Sequence, residues 1–217
     1  MQRESPPLPH QPPMVFVVDD DPAIRKLVAA LAQSVQLHVE AFENASQFSE
    51  RIGPDAAGCL LLDIRMPNLS GLELQKDLQV RGYHLPIIVI TGYSDVSVAV
   101  QALKAGAFDY IEKPFQNQAM LDVIQAALRH DLENRRWQRR QKQVLARMAE
   151  LTPGERDVLD RMVAGKGYKA IANELNLSYK TIEARRGKIM KKMKVEGLPE
   201  LMHEIVVIGK VGGENLQ

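Results

Sequence analysis

Five short, largely apolar runs recur between residues 15 and 111: VFVV (15–18), LHVEAF (37–42), CLLL (59–62), PIIVI (86–90) and FDYI (108–111). Stretches of helical periodicity separate them. Short β-branched runs with little polar alternation are strands buried on both faces, and strands that alternate with helices pair in parallel. Helix-boundary signals agree with this reading. Asp21 precedes Pro22, Asn44 and Ser70 each stand three residues before a Gln or Glu, and Gly82 and Gly106 fall where helices should stop. Residues 14–130 are therefore expected to form a doubly wound sheet of five parallel strands.

In such sheets the functional crevice lies outside the carboxyl ends of the strands. The residues at those ends are polar: Asp19-Asp20-Asp21 after the first run, Asp63 after the third, Thr91 after the fourth, and Lys113-Pro114 after the fifth. Clustered carboxylates repel one another and call for a hard divalent cation such as Mg2+. A cation, an ammonium and a hydroxyl converging on one carboxylate are what phosphoryl transfer to that carboxylate requires. Asp63 is the candidate nucleophile, with Thr91 and Lys113 assisting it. Taken singly, an Asp pair is a helix cap, a Lys-Pro step a turn, and a Thr-Gly step a strand end. Their joint placement at one sheet edge is what points to chemistry. A hydrolase working through an aspartyl phosphate wants a second acid two residues past its nucleophile, and Arg65 stands there. The chain is thus expected to accept a phosphoryl group and lose it slowly, without turnover of a substrate.

Charge is distributed unevenly behind a net value of +1: residues 14–128 carry −6, 129–150 carry +4 and 151–217 carry +3. A basic rear half suggests a nucleic-acid partner. Residues 131–148 read as a helical linker, more a solvated helix than a coiled coil. From 149 to 217 the pattern is a small all-α domain. Thr152 with Glu155 caps its first helix, and Gly165 or Gly167 ends it. Residues 169–193 read as a helix-turn-helix, with Asn176 at the turn, Ser178 as cap and Ile171, Leu175, Leu177 and Ile182 as the apolar seam. On its second helix Thr181, Ala184, Arg185, Lys188 and Lys192 form an outer stripe suited to a phosphate-lined groove. Leu198, Leu201 and Ile205 read either as a dimer face or as plain core.

VVDDD (17–21), LLLDIRMP (60–67), IVITG (88–92) and YIEKPF (110–115) resemble, in order, the four signatures of receiver domains. LTPGERDVL (151–159), TIE (181–183) and IMKKM (189–193) resemble the LuxR-type output domain. Together they are similar to two-component response regulators of the NarL/FixJ type, with a flavodoxin-like receiver. The resemblance implies phosphorylation of Asp63 by a sensor histidine kinase, and Mg2+ held by Asp20, Asp63 and the Arg65 carbonyl, with Asp19 assisting through water. It implies a switch through Thr91 and Tyr110, and a cis bond before Pro114. It places Glu183, Ala184 and Gly187 toward bases of double-stranded DNA, and Lys169, Lys180, Thr181, Lys188 and Lys191 toward phosphates. Arg185 stands where the family commonly has His, and Gly187 interrupts the recognition helix, which leaves base specificity open. Phosphorylation would drive a homodimer onto DNA.

The alternative output is a phospho-switched module that contacts RNA polymerase or another protein. The opening MQRESPPLPHQPP has five prolines and no apolar core, so residues 1–13 read as a disordered tail rather than a signal peptide. Cys59 has no disulfide partner, no run is long enough for a membrane span, and a reducing cytoplasm is expected.

Overall fold

The computed structural model describes residues 13–66, 70–92 and 96–209, so the expected disordered tail, apart from Pro13, lies outside the described residues. They divide into two compact units, with the boundary between Asn134 and Arg135. In the first, the five apolar runs become β1 (Met14–Val18), β2 (His38–Phe42), β3 (Gly58–Asp63), β4 (Ile87–Gly92) and β5 (Asp109–Lys113). All neighbours are parallel, in the order β2-β1-β3-β4-β5. The helices between them are α1 (Pro22–Ser34), α2 (Ala45–Arg51), α3 (Gly71–Val80) and α4 (Val96–Lys104), followed by α5 (Asn117–Ala149).

Strand alternation sorts the apolar side chains onto two faces. Phe16, Val18, Leu60, Leu62 and Val89 pack with Phe48, Leu74 and Leu78 from α2 and α3, where Phe48 meets Phe16 and Phe42 edge-on. Val15, Val17, Leu61, Ile88 and Ile90 pack on the other face with Val28 of α1 and Met120 and Ile124 of α5. Both faces are covered, which is why the runs lack polar alternation. The caps follow their local chemistry: Asp21 accepts from the Ala23 amide, and Ser70 with Glu73 closes a full capping box. Gly58 has φ +133°, and a Cβ there would lie 1.8 Å from the Met14 carbonyl oxygen, so β3 can only start on glycine. The Gly58 amide donates to the buried Asp131 carboxylate of α5 at 2.9 Å. Cys59 is a free thiol inside this core, and burial pushes its pKa up to about 12.

The second unit consists of the end of α5, α6 (Pro153–Val163), α7 (Tyr168–Glu174), α8 (Tyr179–Met193) and α9 (Leu198–Gly209). Thr152 and Glu155 form the expected capping box, Gly165 takes φ +77° behind α6, Asn176 takes φ 51° between α7 and α8, and Ser178 caps α8. Val158, Leu159, Ile171, Ile182, Ile189, Met193 and Leu201 are at most 1% exposed. Leu198 and Ile205 pack against that cluster while staying partly exposed, so the stripe on α9 contributes to the core.

One expectation about the connecting helix changes. Residues 131–148 are helical throughout and half of them are exposed, but they are not a spacer free of contacts. Asp131 is fixed to the first unit's sheet, Val144 is 1% exposed within the second core, Arg147 donates to the Met193 carbonyl at 3.0 Å, and Arg140 pairs with Glu204 at 2.7 Å. A valine amid basic residues gives no periodic signal, so its burial shows only once the packing partners are in place. Val144→Ala should therefore lower the stability of the second unit by about 1–3 kcal/mol, whereas exposed Leu145→Ala should stay within about 0.5 kcal/mol. Denaturant titration checks this, and equal effects of the two substitutions would contradict it.

Candidate functional site

The direction of strand order reverses at β1, with β2 on one side and β3 on the other, and the crevice at the carboxyl ends of β1 and β3 is where such sheets bind ligands. Register determines what stands there. Val18 pairs with Leu62, so the next residues, Asp19 and Asp63, come side by side; Asp63 pairs with Ile90, one residue before Thr91; Gly92 pairs with Lys113. Four of the singled-out residues thus meet at one edge because four strands end there.

Lys113 Nζ donates to Asp63 Oδ2 at 2.9 Å and to Asp19 Oδ2 at 3.0 Å. The second Asp19 oxygen accepts from the Asp21 amide at 2.8 Å, and Asp63 Oδ1 accepts from the Arg65 amide at 3.1 Å. Carboxylate oxygens of Asp19, Asp20 and Asp63 all lie within 4.8 Å of one another, with Asp20 facing solvent. An all-oxygen set of three carboxylates is the donor chemistry of a hard divalent cation, so these residues fit Mg2+. Burial raises the pKa of Asp19, with repulsion from Asp63 adding to it, against the hydrogen bonds from Lys113 and the Asp21 amide. Burial works to lower that of Lys113, but its bonds to Asp63 and Asp19 outweigh this and leave it raised. The ammonium is therefore held charged.

The remaining sequence candidates take distinct places. Thr91 is 3% exposed, and among the described residues its hydroxyl makes only a long 3.4 Å contact to the Gly92 carbonyl. Tyr110 lies outward on β5, 42% exposed, and the Lys113-Pro114 bond is cis. A Cβ on Gly71 would stand 2.3 Å from the Asp63 carbonyl oxygen, so glycine lets α3 start against the end of β3. Arg25, which carries no motif signal, donates from one guanidinium nitrogen to the carbonyls of both Asp19 and Asp20. Only its position one turn beyond the Asp21 cap could have singled it out.

On α8, Lys180, Glu183, Ala184, Gly187, Lys188 and Lys191 are exposed, as is Lys169 on α7, and Thr181 is half-buried. Two members of the expected outer stripe turn inward. Arg185 donates to the Gly154 carbonyl at 3.0 Å, and Lys192 pairs with Glu155 at 2.6 Å while donating to the Glu150 carbonyl at 3.0 Å. The buried Glu155 carboxylate demands a cation, and it takes the end of the stripe that lies nearest. These contacts pin the recognition helix to α6 and leave a narrower exposed stripe than periodicity suggests.

Residues 15–125 match the family described as response regulator receiver domain, and residues 149–205 match the bacterial regulatory proteins of the luxR family. The transcriptional regulatory protein TdiR of Thauera aromatica is 42% identical over 88% of this chain and 85% of its own. The transcriptional regulatory protein FixJ of Azorhizobium caulinodans is 41% identical over 90% and 92%. The low-resolution structure of response regulator StyR superposes with a TM-score of 0.80 at 39% identity, covering 90% of this chain and 99% of that one.

The hydrogen bonds from Lys192 and the Thr152 amide hold the Glu155 carboxyl down to about 2. A folded-state pKa below its unfolded value contributes stability above the ordinary carboxylate range, and this is lost as pH falls. Glu155→Gln keeps the cap but loses the charge. It should lower the melting temperature at pH 7 by about 4–8 °C, the effect of roughly 1 kcal/mol in a small domain. The deficit should close between about pH 5 and pH 2. A deficit independent of pH would show that Glu155 acts only through packing.

Proposed function

The chain belongs to the response regulators that join a receiver domain to a LuxR-type DNA-binding domain, and on that basis we propose that Asp63 is its phospho-acceptor. A sensor histidine kinase supplies the phosphoryl group, and the modified receiver controls DNA binding by the second unit. The observation that carries this reading is the pair of hydrogen bonds from Lys113 to Asp63 and Asp19 at the sheet's switch point. An ammonium held on the nucleophile neutralises charge that arrives there, and an aligned carboxylate needs no further activation. Asp19, Asp20, Asp63 and the Arg65 carbonyl would hold Mg2+, which when bound supplies the remaining charge neutralisation. The buried Thr91 hydroxyl, held by one long contact, turns to donate to the phosphoryl group, and Tyr110 moves inward behind it.

The protein is a switch rather than a turnover enzyme, since its acceptor is its own side chain. Among the described residues no helix is long and apolar enough to cross a membrane, and a DNA target implies the cytoplasm. Phosphorylation promotes a homodimer, because one small helix-turn-helix makes too few contacts for tight specific binding. Lys169, Lys180, Thr181, Lys188 and Lys191 contact phosphates, while Glu183, Ala184 and Gly187 approach base edges. RNA polymerase is a further partner once the dimer is on DNA.

With acetyl phosphate and Mg2+, the protein should take up one phosphoryl group on Asp63, and Asp63→Asn or EDTA should abolish labelling. Labelling that survives the substitution would place the acceptor elsewhere.

Gly187 offers a test of the DNA face. A mid-helix glycine costs about 1 kcal/mol relative to alanine, and a Cβ at Gly187 would meet nothing within 4 Å. Nothing in the fold requires the glycine, whereas a close approach to a base does. Gly187→Ala should stabilise the second unit by about 0.5–1 kcal/mol and yet weaken specific DNA binding about tenfold. Lys188→Ala should weaken specific and non-specific binding alike and reduce the salt slope by about one. A salt-independent interaction would favour a protein-contacting output, and DNA binding by Gly187→Ala as tight as or tighter than the unaltered protein's would show that Gly187 does not approach a base.

A further inference from the structure

The acidic edge is shaped by a second cationic side chain that touches none of its carboxylates. Arg25, one turn into α1, donates from Nη1 to the Asp19 carbonyl at 2.6 Å and to the Asp20 carbonyl at 3.0 Å. It makes no ion pair among the described residues. The two carbonyls belong to the consecutive residues whose side chains face Asp63, so one guanidinium group fixes the backbone from which both carboxylates depart. The rest of the loop is held by the Asp21 amide on Asp19 Oδ1 and by the Ala23 amide on the Asp21 side chain, both at 2.8 Å.

A restraint is needed because the loop is under electrostatic load. Asp19 is 0% exposed beside Asp63, and a single ammonium lies between them. Like charges that close push the β1–α1 loop away from β3. A permanently charged guanidinium whose Nη1 bridges two carbonyl dipoles opposes that push and itself occupies no carboxylate oxygen.

We propose that Arg25 is a positioning residue of the cation site. By clamping the Asp19 and Asp20 carbonyls it holds both side chains toward Asp63, and thereby sets the affinity of the pocket for a divalent cation. This rests on reading the Asp63 edge as a Mg2+-dependent phospho-acceptor.

The sign of the effect separates this role from plain electrostatics. A cation so near the cluster repels Mg2+, so on charge alone Arg25→Ala should bind Mg2+ more tightly, and Arg25→Lys should bind it unchanged. Positioning requires the opposite, since alanine removes the clamp and lysine keeps the charge on a shorter side chain whose nitrogen does not reach as far as Nη1.

The test is calorimetric titration of MgCl2 into the unphosphorylated full-length protein, beside labelling by acetyl phosphate across Mg2+ concentrations. The half-saturating Mg2+ concentration should rise about tenfold in Arg25→Ala, the scale on which partners that orient metal ligands act. It should also rise, by less, in Arg25→Lys. Labelling at saturating Mg2+ should return to within about twofold of the unaltered rate in both, since positioning affects cation capture and not the transfer itself. Mg2+ binding as tight as or tighter than that of the unaltered protein in either variant overturns the inference, as does labelling that saturating Mg2+ fails to restore. An unaltered protein that binds no Mg2+ overturns the Asp63 reading itself, and the inference with it. Arg25→Lys preserves a long cationic side chain on α1, so a folding defect peculiar to Arg25→Ala does not blunt the test.

Discussion

The Lys113 ammonium between Asp19 and Asp63 is the interaction on which the first unit's chemistry depends. Parallel pairing of β1 with β3 forces the two carboxylates side by side, and burial takes away the water that would screen them. The neighbouring β4–β5 pair brings the ammonium to the same edge, and the short contacts to both carboxylates keep it charged. The result is a pocket that is negative enough to attract a hard cation and already carries a positive group on the Asp63 carboxylate. The guanidinium of Arg25 on α1 belongs to the same electrostatic problem, because it restrains the adjoining loop's backbone against the repulsion that burial intensifies.

The helix α5 serves both units. Its first turns bury Met120 and Ile124 against the sheet, and Asp131 receives the Gly58 amide where β3 begins. Its last turns place Val144 in the second core and Arg147 on the Met193 carbonyl, at the end of the recognition helix. The helix α8 is tied down along one side by Arg185 and Lys192, so its exposed residues sit on a rigid element. A glycine in that helix, with open space around it, is tolerated because tertiary packing rather than propensity holds the helix together.

Much of this was legible in the sequence, and what was legible was local. Strand runs, the caps at Asp21, Ser70 and Thr152, the left-handed turn at Asn176 and the polar residues at strand ends all follow from near-neighbour chemistry and the two periodicities. The Asp63, Thr91 and Lys113 cluster was readable because parallel topology dictates which strand ends meet. The partnerships that escaped are long-range and side-chain specific. Lys192 reads as part of a solvent stripe until Glu155, 37 residues earlier, is seen to claim it. Val144 reads as one apolar residue in a basic helix, and the α9 stripe's share in the core shows only once Leu201 is found buried. Arg25 has no motif at all, since its partners are main-chain carbonyls that no residue pattern announces.

The central claim is that phosphorylation at the sheet edge controls what the helix-turn-helix does. Its most direct test is analytical ultracentrifugation of the full-length protein, with and without acetyl phosphate and Mg2+, in the presence of operator DNA selected by the phosphorylated protein. Phosphorylation should convert a monomer to a dimer and tighten DNA binding, with two half-sites about one helical turn apart occupied together. If neither mass nor affinity changes while Asp63 is fully phosphorylated, the receiver does not act through DNA binding and the account is contradicted.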